Sequence, residues 1–213
     1  MNKISFIFLV LLAIWSCSED DEAVTDNTSN DENAQRTFAE AQTQYEALRE
    51  NAKHSLTRKA GFPTSGTMVY KGMHMGEFFE RNTTSGFKLD YFADVEFTLD
   101  FEAQTFTGQL INFTTNLEGF DNPEGSLNVS GSIRGPAELG DDAFGLRFRV
   151  QDGDLKQEGR TANFDAFTEN KGRFLGESGQ SVNIRITSIF RWTEGPDTGT
   201  TSETIGFMHA DRE

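Results

Sequence analysis

Two short runs carry the side chains best suited to chemistry: Met73-His74-Met75 and Met208-His209. Soft thioethers and imidazoles suit Cu(I) or a haem iron. If the chain closes into an up-and-down barrel, its first and last strands pair and the two runs become neighbours. Side chains alternate along a strand, so His74 shares a face with Tyr70 while Met73 and Met75 take the opposite one. They cannot all reach one centre. His74, Met75 and His209 are therefore expected to be packing residues and satisfied polar groups, and no metal or cofactor is expected.

The rest of the chain offers less. His54, His74 and His209 do not fall at metal-ligand spacings, and no Gly-x-Ser-x-Gly elbow, phosphate loop, His-Glu-x-x-His or EF-type loop occurs. Asp141-Asp142 and Asp152-Gly153-Asp154 fall where turns are expected. The chain reads as a non-enzyme.

The elements that must position these residues follow from periodicity. Val95, Phe97, Leu99 and Phe101 alternate with polar partners, as do Leu127, Val129 and Ile133, then Phe144, Leu146, Phe148 and Val150. Val182, Ile184, Ile186, Ser188, Phe190 and Trp192 make the longest example. Weaker strands are expected at Thr67–Met75, Thr105–Phe113, Arg160–Phe167, Lys171–Leu175 and Glu203–Ala210. Short strands at close intervals indicate an antiparallel barrel or sandwich. Twenty Phe against three Tyr and two Trp suit a dry interior, which favours the barrel. Glycines expected within strands (Gly72, Gly108, Gly131, Gly176, Gly206) suit the bending that closure demands. The fold class is mainly β, an eight-stranded antiparallel up-and-down β-barrel over 62–213 preceded by an N-terminal helix.

That helix is expected over 31–58. Ser29 with Glu32 has capping-box spacing, and Phe38, Ala41, Tyr45, Leu48 and Ala52 make one narrow apolar stripe. It either lies on its own domain or serves as a stalk. Residues 17–30 are polar and acidic, and read as a flexible tether. Residues 1–16 read as a signal peptide, with Lys3, an apolar core of about a dozen residues and a small residue before the cut. A bilayer span needs roughly 20 apolar residues.

Cys17, the one cysteine of the chain, follows that signal. The boundary resembles the lipobox of bacterial lipoproteins, with Ile14 and Trp15 in place of the usual Leu and small residue. That resemblance implies acylation of Cys17, palmitate among the chains, and attachment to membrane through lipid. Ser18-Glu19-Asp20-Asp21-Glu22 resembles the surface-export signal of Bacteroidota lipoproteins and implies the outer membrane, lipid-anchored and surface-exposed. With the net charge at −15, nucleic acid is excluded as a partner.

Gly66-Thr67-Met68-Val69-Tyr70-Lys71-Gly72 resembles the opening strand of the barrel domain of transferrin-binding protein B. Val95 to Phe101 followed by Thr105-Phe106-Thr107-Gly108 is similar to its paired strands. Gly172-Arg173-Phe174-Leu175-Gly176 and Ile205-Gly206-Phe207-Met208-His209-Ala210-Asp211-Arg212 resemble its later strands. The resemblance covers about residues 66–212 and implies a barrel that binds a host protein or a nutrient through its loops. Phe78, Phe79, Phe120 and Trp192 are the candidate ligand-binding anchors, since buried aromatic rings dominate interface energetics. The alternatives are a lipocalin-like carrier, holding a small hydrophobic ligand or haem inside the barrel, and a structural envelope lipoprotein.

Overall fold

A computed structural model gives the architecture, and describes residues 36–52, 54–80, 88–116, 121–139, 142–164, 170–196 and 198–213. Helix α1 (Phe38–Asn51) comes first, then a single 3-10 turn (Lys59–Gly61) and strands β1 (Thr67–Glu80), β2 (Lys88–Asp100), β3 (Thr105–Thr115) and β4 (Glu124–Arg134). A short helix α2 (Pro136–Leu139) leads to β5 (Gly145–Gln157), β6 (Arg160–Phe164), β7 (Asn170–Leu175), β8 (Ser181–Glu194) and β9 (Thr201–Arg212). No helix among the described residues is long and apolar enough to cross a membrane.

Apart from β6 and β7, strands adjacent in sequence pair antiparallel, and β1 pairs with β9, which closes the sheet on itself. The nine strands fill eight positions. The first half of β5 pairs with β7 and its last residues with β6, while β8 pairs with the same two strands, so β6 and β7 lie end to end in one place. The barrel is therefore the closed eight-stranded antiparallel one that the alternation indicates.

Alternation sorts the side chains. Along β8, Val182, Ile184, Ile186, Ser188, Phe190 and Trp192 are buried, while Arg185 and Arg191 between them are exposed. Inward-facing Phe97, Phe106, Phe148 and Phe174 are almost wholly buried. Burying a Phe side chain is worth about 1.5–3 kcal/mol, so these rings make up much of the driving force. Glycine makes room for them: Gly108 stands opposite Phe97 and Gly131 opposite Phe106. A Cβ at Gly131 would collide with the Phe106 ring and the Arg147 carbonyl oxygen.

Several expectations need correction. The helix starts at Phe38, where Thr37 and Glu40 form the capping box: the Glu40 carboxylate accepts from the Thr37 amide at 2.8 Å, and Thr37 Oγ1 accepts from the Glu40 amide at 3.3 Å. Ser29 and Glu32 lie outside the described residues. The helix ends at Asn51 rather than 58, because residues 54–58 leave it to bridge the barrel wall, Leu56 to Leu175 and Arg58 to Ala143. Asp152-Gly153-Asp154 is no turn but a stretch of β5 paired with Ser126 to Asn128 of β4, where Gly153 takes φ 136°, and it directly follows a bulge at Gln151 that shifts the register at Asn128/Val129. Gly176 follows β7 instead of lying within it, and its φ of 81° makes it a turn residue.

The barrel has two unlike ends. At the lower end, where β1 begins, Phe62 caps the core: it stacks on Phe144 at 3.8 Å and meets Phe101 and Phe174 edge-on at 5.4 and 4.8 Å. Thr57 ties this segment down, its amide donating to the Phe174 carbonyl at 3.0 Å and its hydroxyl to Gly176 O at 2.6 Å. Helix α1 lies on the outer wall, with Ala41 and Tyr45 buried against Met73 and Phe92. Arg36, just before it, pairs with Asp94 at 2.6 Å, and Asp94 also accepts from Asn112, whose φ of 54° shapes the bulge in β3.

Gly131→Ala should cost about 1–3 kcal/mol through overpacking against Phe106. Gly135→Ala, which meets nothing within 4 Å, should stay within about 0.5 kcal/mol of the parent. Urea midpoints of the two variants measure the difference, and equal midpoints would mean that ring and glycine do not interlock as described.

Candidate functional site

The upper half of the barrel interior differs in kind from the lower. Below, Tyr70 stacks on Phe97 at 5.3 Å among phenylalanines, and burial raises its phenol pKa. Above, the inward positions of β9 are Ser202, Thr204 and Gly206, those of β1 are His74, Gly76 and Phe78, and β2 and β3 contribute Tyr91, Phe113 and Thr115. The Tyr91 and Thr204 hydroxyls are hydrogen-bonded at 2.7 Å, and Trp192 Nε1 donates to Ser202 Oγ at 3.2 Å. His74 packs edge-on to Tyr91 at 5.4 Å, and neither of its ring nitrogens has a hydrogen-bond partner. The Thr115 hydroxyl is likewise buried without one. Burial pushes His74 down to about 3, so its imidazole is neutral across the physiological range.

The candidate anchors divide. Trp192 is not an exposed loop-tip ring: it lies in β8 with 7% of its surface exposed. The period-two run from Val182 already carried the reason, since Trp192 occupies the same inward parity as Phe190. Phe78 belongs to β1, not to a loop, and packs half-buried against Phe190 at 4.6 Å and Trp192 at 6.0 Å. Phe79 also falls within β1. Phe120 and Cys17 lie outside the described residues.

The histidine–methionine runs become neighbours, as barrel closure requires. Met73-His74-Met75 sits in mid-strand of β1 and Met208-His209 in the later part of β9, with Met73 opposite His209 and His74 opposite Met208. Parity then separates them. His74 and Met208 point into the barrel, whereas Met73, Met75 and His209 face outward beneath α1, where Tyr45 lies 5.4 Å from the His209 ring. No group of three or more His, Cys, Asp or Glu that could hold a metal occurs among the described residues.

One further recess lies on the upper rim, a depression of about 410 Å³ lined by residues that include Asp121, Glu124, Lys156, Glu158, Arg160 and Glu194. Thr161 Oγ1 donates to the Glu194 carboxylate at 2.6 Å. The sequence reasoning missed it, because only the β4–β5 pairing and the β5–β6 turn bring these charges together.

Fold and interior together define a closed meander barrel, plugged at one end and polar-lined towards the other. Solved structures of similar shape include transferrin-binding protein B from Haemophilus parasuis Hp5, in a variant matched at 14% identity with TM-score 0.39 over 74% of this chain and 28% of that one. A protein described as a surface lipoprotein matches at 13% identity with TM-score 0.36, over 74% of this chain and 65% of that one. DynF, from the dynemicin biosynthesis pathway of Micromonospora chersina, matches at 12% identity with TM-score 0.45, over 75% of this chain and 85% of that one. The aligned part thus spans little more than a quarter of the Haemophilus protein. No protein-family model matches the chain, and no curated protein matches it in sequence.

His74 generates a pH prediction. Its folded pKa lies below the ordinary value of 6.5, so the unfolded chain binds the proton first. Its contribution to stability is complete above about pH 6.5 and declines as pH falls towards 3, with a slope of up to about 1.4 kcal/mol per pH unit. His74→Phe should remove that slope. Denaturation of parent and variant between pH 7 and 4 measures it, and parallel curves would contradict a buried neutral His74.

Proposed function

We propose that this chain is a non-enzymatic, lipid-anchored binding protein of the outer membrane, displayed at the cell surface on acylated Cys17, which takes its ligand at the upper end of the barrel. The observation that carries the reading is the division of the interior: the lower end is sealed by Phe62, while the polar side chains gather towards the end at which β1 and β3 finish. Binding proteins place recognition on loops held by a rigid scaffold. The ligand is a host protein or a nutrient engaged by such loops, with Phe120 as one anchor. The acidic surface excludes nucleic acid and anionic lipid headgroups as partners.

A carrier function is the second reading, and His74 and Thr115 favour it. Buried polar groups without partners are unusual, each costing about 1–3 kcal/mol. A small ligand inside the upper barrel would satisfy them.

Lipidation is tested in cells fed labelled palmitate. Cys17→Ala should abolish labelling and release the protein from the membrane fraction, and retained labelling would end the anchor reading. Native mass spectrometry of the protein released from its own cell surface separates the rest. A bound small molecule whose occupancy falls in His74→Leu establishes the carrier, and a host protein displaced by Phe120→Ala establishes loop binding. Recovery with outer-membrane proteins alone would overturn both in favour of a structural envelope role.

A further inference from the structure

We propose that Met73, Met75 and His209 form a binding site for a soft monovalent cation, Cu(I) or Ag(I), on the outer wall of the barrel beneath α1. The inference does not depend on the ligand proposed above.

Closure brings the donors together. Met73 is the direct cross-strand partner of His209, and Met75 lies two residues further along the same face of β1, opposite Phe92 on β2 and Phe207 on β9. Met73 and His209 are 3% and 5% exposed, and Met75 packs against the same cluster. His209 Nδ1 is buried with no hydrogen-bond partner.

The donor set selects the metal. Two thioethers and one imidazole are neutral and soft, which suits Cu(I) and its congener Ag(I) and disfavours Mg, Ca and Mn. The Asp94 carboxylate, across from Met73, is engaged by Arg36 and Asn112. Among the described residues the other methionine sulfurs are placed elsewhere: Met208 points into the barrel, and Met68 accepts from Arg212 at 3.6 Å. Tyr45, 5.4 Å from His209, and Phe92, 5.7 Å from Tyr45, put aromatic rings around the site. A desolvated cation gains there from cation–π attraction. Half-buried Met75 and, at 44% exposure, its neighbour Phe207 mark the side open to solvent.

The test uses the full chain with Cys17→Ser, so that no thiol competes. It is titrated with Ag(I), and anaerobically with Cu(I) against a chromophoric chelator, while NMR follows the methionine methyl groups and histidine nitrogens. One ion per chain should bind, shifting Met73, Met75 and His209 and leaving Met208 unmoved. Met75→Leu and His209→Leu should each weaken binding by at least about tenfold, the loss that even second-sphere partners typically cause. Met→Leu conserves volume and His74→Leu probes the interior, so at least one variant reports on a folded protein. No uptake by the parent, undiminished affinity in both Met75→Leu and His209→Leu, or loss confined to His74→Leu would each overturn the site.

Discussion

Strand β1 is hydrogen-bonded along both edges, to β2 from Thr67 to Phe79 and to β9 from Tyr70 to Glu80. That double pairing turns a meander into a tube. It removes the two edges that an open sheet would expose, and it gives every strand an inside and an outside. Once the register is set, the fate of each side chain follows from its parity. A slip of one residue would send Tyr70, His74 and Phe78 to the surface and draw Lys71 and Glu77 into the core.

Within the tube the interior is graded. Phenylalanines interlock with glycines across neighbouring strands below, and Phe62 finishes the packing from outside the sheet. Higher up, serine and threonine replace aliphatic residues on β9, and hydroxyl pairs such as Tyr91–Thr204 replace ring stacking. Gly76 and Gly206 face each other there, which lets Tyr91 and His74 approach the backbone of the opposing strand. The same strand supplies both environments, because alternation places Met73 and Met75 under α1 while their neighbour His74 remains inside.

Fold class was legible because period-two alternation survives in almost every strand, and β8 shows it without interruption. The local irregularities were harder to read. Asn112 adopts left-handed backbone where β3 carries an extra residue, and an Asp-Gly-Asp string looks the same whether it reverses the chain or continues a strand just past a bulge. The helix start was ambiguous for a related reason: Ser29–Glu32 and Thr37–Glu40 share capping-box spacing. In the structure the second cap lies beside the Arg36–Asp94 pair, a tertiary contact invisible in the spacing. The chemistry of the histidine–methionine runs was half visible, since parity separated His74 from Met73 and Met75, while the side taken by His209 depended on the β1–β9 register.

The order of elements also sets how the protein carries load. Proceeding from Arg36, the chain makes α1, then the segment that seals the barrel floor, and only then β1. Tension applied ahead of Arg36 falls first on the Arg36–Asp94 pair and the helix interface, both local contacts that peel one at a time. The floor segment comes next, held by Thr57 and the Phe62 ring stack. The ladders of β1 engage last, and they are loaded along their length so that many hydrogen bonds resist together. The barrel is thus buffered mechanically by two sacrificial stages, and a pull that strips the helix leaves the closed sheet intact.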